Sequence, residues 1–168
     1  MKPQVQLKEA QNAVDFSEAK ELILEYVKWL GVEGGPEVRA VLASQNFDKE
    51  METLQITYGH PEGGLFLAMV NDKVVAVAGI KRFNERECEV KRMYVQPESR
   101  GLGIGKLLLA KCIEVAERLN YEMIKLDSAD FMQSAIKIYT DAGFIEIAAY
   151  RENKHHGAKF FELDLKSR

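Results

Sequence analysis

Val5 and Leu7 alternate with polar residues, a period of two that predicts a short strand with one buried side. From Asp15 to Leu30 the period lengthens. Phe16, Ala19, Leu22, Ile23, Tyr26, Val27 and Leu30 recur at helical spacing and predict an amphipathic helix. Gly31, Gly34-Gly35 and Pro36 break it, an ambiguous stretch follows, and Asp48 to Ile56 is expected to form a second helix. Beyond Gly64 the texture changes to Leu65 to Val70 and Val74 to Ile80, two strands joined by a tight hairpin at Asn71-Asp72. Glu87 to Val95 reads as a third strand, ended before Pro97, which cannot donate to a ladder. Leu107 to Leu119 carries one apolar stripe, Leu108, Leu109, Cys112, Ile113, Ala116 and Leu119, and predicts a helix. A short strand at Met123 to Leu126, a helix at Met132 to Ala142 capped by Gly143, and closing strands at Phe144 to Tyr150 and Ala158 to Leu165 complete the chain.

The order β-α-α-β-β-β-α-β-α-β-β predicts an α/β sandwich: a mixed, mostly antiparallel central sheet with helices on both faces. At 168 residues the chain fits one domain spanning 1–168 with one core. Apolar residues at 46% and charged residues at 29% are the composition of a folding chain. A net charge of −3 leaves no basic excess to neutralise a nucleic-acid backbone, so nucleic acid is not expected as a partner. The segment Met1 to Glu9 lacks a signal-like apolar run and no stretch approaches bilayer length, so a cytoplasmic protein without membrane contact is expected. Cys88 and Cys112, without CxxC spacing, read as buried thiols. His60, His155 and His156 lack helical ligand spacing, so no metal is expected.

The candidate chemistry sits in the loop Arg100-Gly101-Leu102-Gly103-Ile104-Gly105-Lys106, which runs directly into the helix predicted from Leu107. A helix N-terminus offers unpaired N–H groups and partial positive charge, and glycines let a phosphate approach the backbone. A nucleoside-triphosphate loop would place Ser or Thr after the lysine, but Lys106 is followed by Leu107. A dinucleotide loop of the form GxGxxG also fails, since the frame opened by Gly101 ends on Lys106.

The pattern Arg-x-x-Gly-x-Gly from Arg100 through Gly103 to Gly105, directly after Met93-Tyr94-Val95-Gln96-Pro97, resembles the GNAT superfamily of N-acetyltransferases. A second signature resembles the family's helix that carries a tyrosine and closes on Gly-Phe. It is Ala135-Ile136-Lys137-Ile138-Tyr139-Thr140-Asp141-Ala142-Gly143-Phe144. The resemblance implies an enzyme that moves an acetyl group from acetyl-CoA, its cosubstrate, to an amine on a small molecule or a peptide, with a homodimer left open. It further implies a strand that splays from its neighbour, freeing backbone groups of Met93 and Val95 for the pantetheine arm and thioester. The amides of Gly101, Leu102, Gly103, Ile104, Gly105 and Lys106, beside Arg100, would hold the pyrophosphate. Tyr139 occupies the family's general-acid position, and Glu89, expected by alternation on the same face as Lys91, Met93 and Val95, is the candidate base. Pairing of Glu89 with Lys91 or Arg92 on a solvated face is the other reading of that residue. Where the family often carries a cofactor-contacting asparagine this chain has Met132, and Ser134 or a backbone group is expected to substitute. A non-catalytic acyl-CoA-binding module would keep the loop but need neither Tyr139 nor Glu89.

Overall fold

The structure, a computed structural model, describes residues 3–168, Ser44 by its backbone alone. Met1 and Lys2 of the N-terminal segment lie outside the described residues. In chain order the elements are β1 (Val5–Glu9), α1 (Ala13–Glu33), α2 (Gly35–Ser44), α3 (Phe47–Glu52), α4 (Leu54–Thr57), β2 (Gly64–Val70), β3 (Lys73–Arg82) and β4 (Glu87–Val95). A 3-10 turn at Pro97–Ser99 leads to α5 (Ile104–Arg118), β5 (Met123–Ala129), α6 (Gln133–Asp141), β6 (Ile145–Ile147) and β7 (Ala158–Asp164).

Several boundaries differ from the sequence expectation. Gly31 lies inside α1, where tertiary packing outweighs the roughly 1 kcal/mol helix penalty of glycine. Pro36, read as a breaker, instead sits in the first turn of α2, where its missing N–H costs nothing. The helix expected over Asp48 to Ile56 is split at Thr53 into α3 and α4. Phe144 to Tyr150 contributes only the three-residue β6, and the chain from there to β7 is a long loop.

The seven strands form one sheet in the order β1-β2-β3-β4-β5-β7-β6. Every pair is antiparallel except β4 with β5, the two strands joined by the α5 crossover. Strand alternation sends Phe66, Ala68, Ala76, Ala78 and Ile80 into the core under α5 and α6. There they meet Ile104, Leu108, Leu109 and Cys112. The opposite set, Leu65, Leu67, Val77 and Tyr94, packs under α1 to α4 against Leu22, Ile23, Leu42 and Leu54. Both cysteine thiols are free and buried, and burial pushes that of Cys88 up to about 12. No helix among the described residues is long and apolar enough to cross a membrane.

One irregularity in β4 changes the direction of its side chains partway along. Gly79 pairs with Lys91 but Val77 pairs with Tyr94, so Ala78 faces two residues, Arg92 and Met93. Arg92 takes φ 59°, a left-handed conformation that costs a non-glycine residue roughly 1–2 kcal/mol. Its buried guanidinium is bonded through Nε to Glu50 of α3 at 2.8 Å and lies 5.2 Å from the centre of the Phe47 ring. Glu50 in turn accepts the Tyr58 hydroxyl at 2.7 Å. The Tyr58 ring can lie on the sheet because Gly79 is beneath it: a Cβ there would come within 2.7 Å of the ring. The Tyr94 hydroxyl and the Gln96 side chain both donate to Glu25 of α1, at 2.9 Å each, tying the end of β4 to the same helical layer.

Glu50→Ala would leave the Arg92 guanidinium buried without its counter-charge. It is expected to cost about 3–5 kcal/mol, read as a lower urea midpoint at unchanged slope. A loss below about 1 kcal/mol would mean that something other than this pair holds the bulge.

Candidate active site

β4 pairs with β5 only over Glu87, Cys88 and Glu89, against Met123, Ile124 and Lys125. Beyond that point β5 continues to Ala129 paired with β7 alone, while β4 continues to Val95 paired with β3 alone. The two strands therefore diverge, and their facing edges lose their ladder. The Gln96 N–H donates to Val75 of β3, so by strand alternation the backbone groups of Met93 and Val95 point the other way, into the opening. The Val95 carbonyl, on that side, accepts the Arg100 Nε–H at 3.1 Å.

A groove of about 560 Å³ occupies this opening. It gathers Met93, Val95, Arg100, Gly101, Gly103, Ile104, Gly105, Lys106 and Ser134, so nine of the sequence-predicted site residues are brought together. Leu102, exposed on the loop, does not line it. Gly101 and Gly103 adopt φ of 81° and 78°, which only glycine takes without penalty, and a Cβ on either would meet no atom. Gly105 has a different task. A Cβ there would come within 2.9 Å of Ile138 Cδ1, so its missing side chain lets α5 approach α6. The first turn of α5 has no side-chain cap, and its first helical hydrogen bond is Leu107 N–H to Gly103. The N–H groups of Ile104, Gly105 and Lys106 are thus left facing the groove end with the helix's partial positive charge behind them. The far wall is aromatic: Tyr26, Trp29 and Phe131 line it, and the Arg100 guanidinium lies 5.5 Å from the centre of the Trp29 ring. Sequence reasoning missed this wall because α1 and the β5–α6 loop meet only in the fold.

Behind the groove lies a smaller cavity of about 100 Å³, which shares Tyr26, Met93 and Met132 with it. Leu30, Val38, Val41 and Leu42 of the first two helices make its apolar side. Gln45, Lys91, Arg92, Asp127, Ser128, Asn153 and His155 make its polar side. Tyr139 faces this inner cavity, 5% exposed, with its ring against Phe144 and Phe161. Burial raises the phenol far above its ordinary range, so it stays protonated at any working pH. Met132, in place of the family's asparagine, stands at the junction of the two hollows. Its sulfur accepts the Tyr26 hydroxyl at 3.9 Å and that of Ser128 at 3.6 Å.

Glu89 is not brought to either hollow. It is 2% exposed, ion-paired with Arg151 and bonded by the Tyr150 hydroxyl at 3.0 Å. The solvated pairing with Lys91 or Arg92 is not observed either. The expected shared face with Met93 and Val95 fails because the extra residue at Arg92 reverses the alternation. Glu89 and Lys91 lie on the α2–α3 side, whereas Met93 and Val95 join the core under α5. Lys91 is the residue that alternation undervalued. It is 7% exposed, and its ammonium has a single hydrogen bond, to the Gln45 carbonyl oxygen at 3.3 Å. No carboxylate pairs with it among the described residues. Burial, followed by the neighbouring Arg92 charge, lowers it to about 8.

Residues 24–144 match the model of the Acetyltransferase (GNAT) family. An uncharacterised N-acetyltransferase of Schizosaccharomyces pombe is 30% identical over 153 residues, 90% of this chain and 89% of that one. The crystal structure of a GNAT-family acetyltransferase from Staphylococcus aureus superposes with a TM-score of 0.76 at 25% identity, covering 96% of this chain and 99% of its own. That of an acetyltransferase from Salmonella typhimurium, solved with acetyl-CoA, has the same fold: TM-score 0.65 at 15% identity, covering 98% and 95%.

The cost of keeping Lys91 can be measured directly. Its folded value of about 8 lies below the ordinary 10.5, so between those values the unfolded chain holds a proton that the folded chain does not. Stability should therefore climb as pH rises through that window. Lys91→Met should lack this increment and be more stable than the parent at pH 7 by about 1–3 kcal/mol in urea titrations. A variant less stable than the parent at pH 7 would show that the ammonium is compensated in the folded state.

Proposed function

Because the chain belongs to the GNAT acetyltransferase family, we propose that it transfers the acetyl group of acetyl-CoA directly to the nitrogen of an amine held in the inner cavity. The observation that carries this reading is the divergence of β4 from β5 onto the uncapped N-terminus of α5. A diphosphate suits the Ile104 to Lys106 amides with Arg100 and Lys106 beside them, and an extended pantetheine arm suits the unpaired edge at Met93 and Val95. An N–H on that edge aimed at the thioester oxygen would stabilise the developing oxyanion by roughly 3 kcal/mol. The amine nitrogen bonds to the acetyl carbon, the carbon–sulfur bond breaks, the nitrogen loses a proton and the thiolate gains one. Tyr139, kept protonated by burial and facing the cavity that adjoins the groove, is the proposed proton donor to the thiolate. With Glu89 engaged by Arg151 and Tyr150, we assign it the positioning of the loop that carries those two residues. The amine's proton is assigned to water. A module that only held coenzyme A would have no use for the inner cavity. A cytoplasmic setting is part of the proposal.

Gly103→Glu puts a carboxylate at the groove end and a side chain on a residue at φ 78°. It is expected to abolish coenzyme A binding by calorimetry while the circular dichroism spectrum is kept. Retained affinity would remove the glycine loop from the site.

Tyr139→Phe keeps the ring between Phe144 and Phe161 and should leave coenzyme A affinity intact. Turnover is expected to fall about 10²- to 10⁴-fold, in kcat and kcat/KM alike. An unchanged kcat would return Tyr139 to the core as an ordinary aromatic.

A further inference from the structure

The inner cavity is small, with an apolar wall facing a polar one, and two charges on the polar wall, Lys91 and Asp127, are not ion-paired among the described residues. Arg92 is matched by Glu50 at 2.8 Å, so that pair presents no net charge. Lys91 is unmatched: it is buried, it reaches only the Gln45 amide oxygen, and two of its three N–H donors have no partner among the described residues. The charged groups whose fields it feels are Arg92 and Lys81 from the sheet, Glu50 from α3 and Asp127 from β5. Glu50 is already committed to Arg92 and Tyr58. Asp127 lines the same cavity, with one long hydrogen bond of 3.4 Å from Asn153, and forms no ion pair among the described residues. A buried ammonium without a carboxylate destabilises the fold unless something else supplies the carboxylate.

We propose that the acceptor is a small amine that carries its own carboxylate, an amino acid in the general sense, with Lys91 binding the carboxylate and Asp127 the ammonium end. This rests on the acetyltransferase reading and names the substrate class of that same site. Three features select this class. The unpaired charges are one cation, Lys91, and one anion, Asp127, which suit a ligand bearing one carboxylate and one ammonium, whereas a phosphate dianion would overshoot the single cation. The cavity of about 100 Å³ admits something the size of one residue and not a folded chain or an aminoglycoside. Its remaining wall, Leu30, Val38, Val41 and Leu42, accepts an apolar side chain or methylene stem. A zwitterion placed in this way leaves no net charge in the cavity: ammonium against Asp127, carboxylate against Lys91, and Arg92 against Glu50. The ammonium gives one proton to water before its nitrogen attacks, and the second leaves as the amide forms.

The test compares matched pairs in the full chain with acetyl-CoA, reading released thiol. Each common L-amino acid is set against its carboxamide, which keeps the amine and the shape but not the charge, with phosphoethanolamine as a further arm. At least one acid should be acetylated with kcat/KM about 10- to 100-fold above its amide, the range expected for a hydrogen-bonded buried charge. In Lys91→Met that ratio should collapse to near unity through a higher KM for the acid, while coenzyme A affinity by calorimetry stays at the parent value. A merely structural role for Lys91 would not move the acid-to-amide ratio, and Lys91→Arg should restore part of it. Equal use of acids and amides, a ratio that survives Lys91→Met, preference for phosphoethanolamine, or acetylation of no acid by a protein that binds coenzyme A would each overturn the assignment. The last leaves the acetyltransferase reading standing. Failure to bind coenzyme A would remove that reading and this one together.

Discussion

The buried ion pair between Arg92 and Glu50 holds the one residue on which the geometry of the cleft turns. Arg92 sits in a left-handed conformation inside a strand, a placement worth roughly 1–2 kcal/mol against folding. Glu50, the Phe47 ring and the Tyr58 hydroxyl behind them offset it. The extra residue reverses side-chain direction halfway along β4. Upstream, Glu89 and Lys91 face the α2–α3 layer. Downstream, Met93 and Val95 turn their side chains to the α5 core and their backbone groups to the gap beside β5. Without the reversal, Lys91 and Met93 would share a side, and the open edge of β4 and the inner cavity would not sit back to back.

The two hollows use polarity in different ways. The groove end is polar through backbone: N–H groups at the start of α5 have no internal partner by the nature of a helix, and they face a groove that is open to solvent. That arrangement costs little stability. The inner cavity is polar through side chains that are out of water, and there an unmatched charge is expensive. Lys91, lowered to about 8 by burial and bonded only to Gln45 among the described residues, is a charge of that kind. Residues kept at a cost to stability mark the places where function has been preferred over packing. The same reasoning separates Lys91 from Glu89, which is also buried but is ion-paired with Arg151 and bonded by Tyr150.

Much was legible from residue order alone, because it depends on neighbours within a few positions. The strands of the hairpin, the strand ending before Pro97, the α5 stripe and the α6 helix closing on Gly143-Phe144 are all period or cap signals. Gly101 and Gly103 were read as clearing the backbone for a phosphate, and the structure adds that each also holds a positive φ. Two signatures at the family's usual separation then carried the family, and with it the sheet. What failed did so where a neighbour distant in sequence decides: Pro36 starting a helix instead of ending one, Glu89 and Met93 taking opposite sides of β4, and most of the strand expected over Phe144 to Tyr150 giving way to a long loop.

By itself, then, the sequence determined the order of the strands, the mixed sheet and the glycine-led start of α5, because these follow from the chain's own periodicity and from what glycine and proline permit. Only the tertiary structure decided which side of β4 each side chain takes, since one inserted residue reverses a period-two pattern without leaving a mark in composition. Likewise it alone assembled the inner cavity, whose polar residues come from the end of α2, β4, β5 and the β6–β7 loop. Gln45, Lys91, Asp127 and the pair Asn153 and His155 are separated by tens of residues along the chain, and nothing local to any of them says that they meet.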